Sequence, residues 1–290
     1  MNGILLVDKP EGWTSHDVVA KLRGLLHERR IGHSGTLDPM ATGLLVVFIG
    51  KATKAVAFAE ADEKAYLATL RLGIVTDTQD TTGTILERRP VAVTETALDE
   101  TLLHFTGEIA QIPPMYSAIK VDGQRLYKLA RRGESVARRP RQITITRLER
   151  ETIVGEEVSL SVTCSKGTYI RTLCHDIGES LGCGGAMSSL RRVRAGAFSV
   201  DDAYTMAQIA ELAENGGAES ALLPLDSLFS AYPAYTADPS QERKCRCGSA
   251  FEASLPDGTY RVYGEGGKFL MLAGAESGSV RAIKNFFEVE

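Results

Sequence analysis

Apolar residues change their period several times along the 290 residues, and each change predicts an element. The unbroken run Ile4-Leu5-Leu6-Val7 predicts a short buried strand. Val18, Val19, Leu22, Leu25 and Leu26 recur at helical spacing behind Thr14 and Ser15, either of which can cap the helix. Gly32 to Gly43 is polar and glycine-rich and predicts a loop, after which Leu44 to Ile49 is again a continuous apolar strand. Tyr66, Ala68, Leu70 and Leu72 alternate with Leu67, Thr69 and Arg71, which is a strand pattern ending in the polar turn Thr76 to Gly83. Ala97, Leu98, Leu102 and Phe105 form one face of a helix capped by Thr94, with Gly107 as its stop.

Gln111 to Ser117 contains Pro113-Pro114 and cannot be helical. A basic helix follows around Leu126, Leu129 and Ala130, stopped by Gly133. Ile143 to Thr146, and Val158, Leu160, Val162 and Cys164, read as strands. Ile170, Leu173, Cys174, Ile177 and Leu181 return to helical spacing with Gly182 at the end, and Met206 to Glu214 is an acidic helical stretch. Strands and helices do not alternate regularly, so the class is α+β: a mixed, largely antiparallel sheet flanked by helices. A boundary is expected near Phe229 to Pro239, dividing the chain into domains 1–230 and 235–290. The second is Gly-rich with short strands at Thr259 to Tyr263, Phe269 to Ala273 and Val280 to Ile283, which predicts a small β-barrel leaning on its neighbour.

Composition narrows the class without changing it. No apolar run approaches the twenty or so residues of a membrane span, and Gly3 to Val7 is too short for a signal-peptide core. Five cysteines lack a repeated pair spacing, so the expectation is free thiols, a cytoplasmic location and no metal, Cys245-Arg246-Cys247 lacking a second ligand pair. The net charge of −4 is unpromising for a nucleic-acid ligand, but its distribution is uneven. Residues 120–147 hold nine basic residues against two acidic ones, Asp122 and Glu134. Arg191, Arg192 and Arg194 form a second cluster and Arg23, Arg29 and Arg30 a third. The three together predict a phosphate-binding face.

The chemistry points to Gly32-His33-Ser34-Gly35-Thr36-Leu37-Asp38-Pro39-Met40-Ala41-Thr42-Gly43, where one carboxylate sits among small polar groups and three glycines. Taken alone this is an ordinary polar turn. Its company is not ordinary: Lys9-Pro10 with Gly12, Thr14 and Ser15; Gln111 to Lys120; Gly167-Thr168-Tyr169-Ile170-Arg171-Thr172-Leu173; and Leu190-Arg191-Arg192. In this order the strings resemble the motifs of the TruB family of tRNA pseudouridine synthases, over roughly the first two hundred residues.

The resemblance implies an isomerase that turns the T-loop uridine of tRNA (position 55) into pseudouridine. It makes Asp38 the nucleophile, Arg171 its cationic partner and Tyr66 the active-site tyrosine. It places Tyr169 and Leu190 along the base pocket, has His33 fill the space left by the flipped base, and has Asp80 support the RNA-facing site or cap its own turn. By position, residues 235–290 resemble the PUA domain of that family. The reaction conserves atoms and electrons, so no cofactor is implied. The expected partner is the tRNA T arm, engaged by a monomer with no guide RNA and no membrane. An RNA-folding role can accompany the catalytic one. The rivals are the guide-RNA-dependent relatives that modify ribosomal RNA, a non-catalytic RNA-binding module, and a glycosidase. The last requires a second acid beside Asp38, which the loop does not provide.

Overall fold

The computed structural model describes residues 1–60, 63–121 and 123–287, so Asp122 of the basic run and the last three residues lie outside the described residues. The chain begins with strand β1 (Gly3–Lys9) and helix α1 (Ser15–Leu25). Thr14 is the cap: its hydroxyl accepts from Asp17 N at 3.0 Å, and the Asp17 carboxylate accepts from Thr14 N at 2.8 Å. Ser15 is thereby left for another partner. Strands β2 (Ile31–Ser34) and β3 (Thr42–Ile49) pair antiparallel, with Ile31 opposite Ile49 and Ser34 opposite Val46. The expected loop from Gly32 to Gly43 is therefore shorter, residues 35–41. Gly32, His33 and Ser34 carry no strand propensity, but β3 offers them a continuous edge and long-range pairing outweighs composition.

Helix α2 (Val56–Glu60), strand β4 (Lys64–Leu72), the hairpin of β5 (Ile74–Thr76) and β6 (Ile85–Arg88), and helix α3 (Glu95–His104) follow. Gly107, expected as the helix stop, instead opens strand β7 (Gly107–Gln111), since α3 closes on Phe105. A two-residue ladder of β8 (Lys120–Val121) and β9 (Gln124–Arg125) leads into the short helix α4 (Leu126–Ala130). Then come β10 (Arg141–Val154), β11 (Glu157–Cys164), helix α5 (Ile170–Ser180), β12 (Gly185–Ala195), β13 (Phe198–Ser199), β14 (Tyr204–Thr205) and helix α6 (Met206–Glu214).

Ten of these strands form one sheet, in the order β14-β1-β3-β12-β4-β11-β10-β7, with β2 added on β3 and β13 on β12. All its pairings are antiparallel except β1 with β14 and β3 with β12. The largely antiparallel α+β reading holds. The β3–β12 joint is short, only Thr42 opposite Arg191 and Gly43 opposite Arg192, and it divides the sheet into two halves. On one half α3 and α5 cover β4, β10 and β11, burying Leu98, Leu102, Leu173 and Ile177. On the other, Leu5, Val7, Leu45 and Val47 face α1 and α6, whereas Ile4, Leu6, Leu44, Val46 and Phe48 face the opposite way. Burial on both faces is why β1 and β3 read as continuous apolar runs rather than alternating ones.

That second face is covered from the C-terminal part of the chain. Strands β15 (Ala234–Thr236), β16 (Phe251–Glu252), β17 (Gly258–Tyr263), β18 (Phe269–Glu276) and β19 (Ser279–Asn285) make a curled five-stranded sheet in the order β15-β17-β18-β19-β16, consistent with a PUA-like half-barrel. Phe229, Phe269 and Phe286 stack at centroid distances of 5.4–6.0 Å and pack on the β1–β3 face. The unit leans on its neighbour through this aromatic contact. Helix α7 (Pro239–Arg246) has no apolar stripe, with Cys245 alone buried, so periodicity does not reveal it. Its signal is local: Asp238 caps Ser240 and Gln241 N at 2.8 and 2.9 Å, with Pro239 at the first turn.

Candidate active site

The loop carrying Asp38 is held from three sides. Ser15, free of capping duty, accepts from Leu37 N at 2.9 Å and donates to Leu37 O at 3.2 Å. Gly12 N donates to Pro39 O at 2.8 Å. Lys9 is fully buried, and its Nζ donates to Trp13 O at 2.6 Å, Pro10 O at 2.9 Å and Pro39 O at 3.3 Å. Burial pushes its pKa down to about 8, against the opposing pull of the Asp38 charge. These contacts bring the Lys9-Pro10-Gly12-Ser15 string and the loop into one unit, so residues that are flexible by composition are fixed by partners.

Across from the loop stands Arg171, in the first turn of α5. Its side chain is 6% exposed, and its Nε lies 2.8 Å from Asp38 Oδ2; the Asp38 side chain is 39% exposed. The other two nitrogens are committed elsewhere: Nη1 donates to Thr78 O at 3.1 Å and Nη2 to Tyr116 O at 2.8 Å. One guanidinium thus ties three separate segments together. Asp80 is buried, with Oδ2 3.8 Å from Arg171 Nε. Its Oδ1 accepts from Thr78 Oγ1, Thr82 N and Thr82 Oγ1, so it caps its own turn and backs the arginine at once.

Tyr169 precedes α5, and both of its backbone polar groups are met by the buried Gln111 side chain: N donates to Oε1 at 2.8 Å, and O accepts from Nε2 at 3.0 Å. Gln111 thus works as a borrowed strand edge that fixes the turn into Arg171. Only its place in the Gln111 to Lys120 string marks it in sequence. Tyr66 and Leu190, each 8% exposed, share the core beneath the loop with Leu37 and Ala41. Burial raises the Tyr66 phenol pKa, and the Arg192 guanidinium facing it opposes the rise. His33 sits on β2 beside His16, with ring centroids 6.3 Å apart and Nδ1 buried without a hydrogen-bond partner. Burial, with His16 and Arg192 adding to it, holds its pKa down to about 4, so the ring is neutral at physiological pH.

The second basic cluster is divided. Arg192 is 1% exposed and turned away from solvent, whereas Arg191, paired with Asp8 at 2.8 Å, and Arg194, paired with Glu63 at 2.9 Å, remain partly exposed. On β12 Arg192 shares a face with Leu190, which turns it inward. The first run fares differently. Lys120, Arg125, Lys128, Arg131, Arg139 and Arg141 are exposed, while Arg132 and Arg147 are paired with Glu134 and Glu149, and Arg138 donates to Pro113 O. In the third cluster Arg23 donates to Ile31 O, and Arg29 and Arg30 are exposed. The cysteines are free, and among the described residues no group of three His, Cys, Asp or Glu side chains is placed to hold a metal.

Gly43 shows how closely the loop exit is fitted. At φ 96° a Cβ there would collide with the Arg192 carbonyl oxygen across the β3–β12 joint. Gly43→Ala is expected to lower unfolding stability by about 2–4 kcal/mol, combining backbone strain with steric overlap. Urea denaturation measures this. A loss below about 1 kcal/mol would mean that the joint yields freely.

Comparison with known proteins identifies the family. Residues 23–170 match the TruB family pseudouridylate synthase N-terminal domain, and residues 171–230 the tRNA pseudouridylate synthase B C-terminal domain. A protein named tRNA pseudouridine synthase B from Clostridium kluyveri is 41% identical over 99% of this chain and 100% of its own length. Another of that name, from Alkaliphilus oremlandii, is 51% identical over 78% of the chain and 75% of its length. Among solved structures, the one titled as a Cbf5-Nop10-Gar1 complex superposes with TM-score 0.77 at 27% identity, covering 99% of this chain and 85% of that one. An H/ACA RNP bound to a substrate RNA containing 2'-deoxyuridine gives 0.75 at 25% identity, covering 99% and 86%. The chain belongs to the TruB family of pseudouridylate synthases.

Proposed function

We propose that this chain is a tRNA pseudouridine synthase that isomerises the T-loop uridine at position 55. The observation that carries the reading is Asp38: a carboxylate held at one oxygen by a nearly buried guanidinium, with its side chain still open to solvent. Such a group is paired with a cation, oriented and reachable, as a nucleophile must be. The target base is stacked inside its loop and must be extruded to meet it. His33, neutral and partly buried at the head of the loop, fills the vacated space. Tyr169 and Leu190 line the pocket, and the Tyr66 ring lies against the base.

The chemistry then balances without a cofactor. The C1′–N1 bond breaks with Asp38 as the reacting carboxylate, and the electron pair stays with the uracil. The base turns, C5 bonds C1′, and the C5 proton leaves while N1 gains one. Asp80 keeps Arg171 in place throughout. Residues 1–230 carry this catalysis and 235–290 add RNA-binding surface. The enzyme acts as a cytoplasmic monomer without a guide RNA. Identities of 41–51% to proteins named tRNA pseudouridine synthase B, against 25–27% to the chains from H/ACA assemblies, favour the stand-alone reading.

Mapping the product tests it: unmodified tRNA incubated with the protein alone should acquire one pseudouridine, in the T loop. Modification elsewhere, or a requirement for a second RNA, would refute the assignment. The exposed run between Lys120 and Arg141 supplies the phosphate contacts, so tRNA affinity should fall by about 10²–10⁴ between 50 and 200 mM salt, as expected for roughly four to eight neutralised phosphates. A filter-binding series measures the slope, and a flat one would remove these residues from the interface.

A further inference from the structure

Arg192 is the largest fully buried side chain among the described residues, and none of their carboxylates pairs with it. Desolvating a charge without a counter-ion is costly, so its partners matter. Nε donates to Leu44 O at 2.7 Å and Nη2 to Gly35 O at 3.0 Å. Gly35 opens the catalytic loop and Leu44 follows its exit, so a single guanidinium closes the loop at its neck. The backbone of Arg192 lies opposite Gly43 on one side and Tyr66 on the other, at the two-pair joint between the halves of the sheet. A Cβ at Gly35 would stand 3.1 Å from Nη1, so the loop leaves the arginine no slack.

We infer that Arg192 is a positioning residue for the reaction: from beneath the pocket it sets the neck of the Asp38 loop and the Tyr66 phenol in one register, so that carboxylate and phenol address the same base. The inference rests on the proposed reading of Asp38 and Tyr66 as reacting groups. It gives the unpaired charge a use, since a fixed cation facing a phenol favours its ionised form and a planar fork spans two carbonyls that an ammonium cannot. The other charged or titratable groups acting on Tyr66 are Cys164 from the end of β11 and Asp38 from the loop, and Lys64 lies two residues earlier on its own strand.

Two variants separate the jobs. Arg192→Lys keeps the charge and loses the fork; Arg192→Met loses both. Each should lower kcat for tRNA by about 10- to 100-fold with KM within about threefold of wild type, since misplacement of the reacting groups by about 1 Å costs that much. Without substrate, ultraviolet difference titration against matching Tyr66→Phe proteins reads the Tyr66 phenol alone. Arg192→Met should move that titration to higher pH, and Arg192→Lys should leave it in place. A merely structural role predicts no such split. An unmoved phenol in Arg192→Met, or kcat within twofold of wild type in Arg192→Lys, would overturn the proposal. Because the titration needs no RNA, it succeeds or fails independently of the assigned reaction. Should Arg192→Met not fold, the kcat and phenol titration of Arg192→Lys still decide the matter.

Discussion

Asp38→Asn should leave tRNA binding within a few-fold of wild type and reduce turnover by a factor on the order of 10⁴ or more, the scale on which removing a nucleophile acts. The substitution keeps the shape and one acceptor oxygen, so the Arg171 Nε contact at 2.8 Å can persist. What disappears is the negative charge and with it the nucleophile. The loop itself should hold, because its anchors run through Ser15, Gly12 and Lys9 to the backbone of residues 37 and 39 rather than to the Asp38 side chain. Equilibrium binding and single-turnover assays on the same protein separate the two effects. Weakened binding in step with lost turnover would make Asp38 a binding residue instead.

Arg171→Ala should be the most damaging substitution for the fold and nearly as severe for activity. It leaves Asp38 without its cation, removes the guanidinium 3.8 Å from buried Asp80, and takes the donors from the carbonyls of Thr78 and Tyr116. Breaking a buried pair costs about 3–5 kcal/mol, so the melting temperature should drop by roughly 6–20 °C for a chain of this size. Arg171→Lys should recover much of the stability and little of the turnover, since one ammonium cannot reach three acceptors in different directions. Thermal denaturation with steady-state kinetics on both variants checks this. Equal activity in the lysine variant would show that charge alone suffices.

Much of this architecture was legible in the residues, and the failures have physical causes. The long apolar runs of β1 and β3, the alternation in β4 and β11 and the periodicity of α1 and α5 mark elements whose buried faces determine their pattern. The extension of β3 back to Thr42, and the pairing of Gly32 to Ser34 with it, could not be read, because these residues take their structure from partner strands, β12 for Thr42 and Gly43 and β3 for the edge strand β2. Helix α7 escaped because a polar helix is specified by its cap and not by a stripe.

At the site, the loop and Arg171 stood out through their company in the sequence, and the fold brings Asp38 and Arg171 to 2.8 Å. Arg192 on β12 misled because charge suggests a surface. Whether an arginine faces water or supports a loop depends on the carbonyls that tertiary structure presents to it, here those of Gly35 and Leu44. Gln111 was similarly silent, its role depending on the backbone of a residue 58 positions away.

The central claim is that the carboxylate of Asp38 converts one uridine in tRNA, and release of tritium from uridine C5 tests it most directly. Unmodified tRNA labelled at C5 is incubated with the wild-type protein and with Asp38→Asn, alongside a tRNA whose T-loop uridine is replaced by cytidine. The expected result is release of one equivalent of tritium per tRNA by the wild type on intact tRNA, and background release in the other two reactions. Release by Asp38→Asn at the wild-type rate, or from the substituted tRNA, would contradict it.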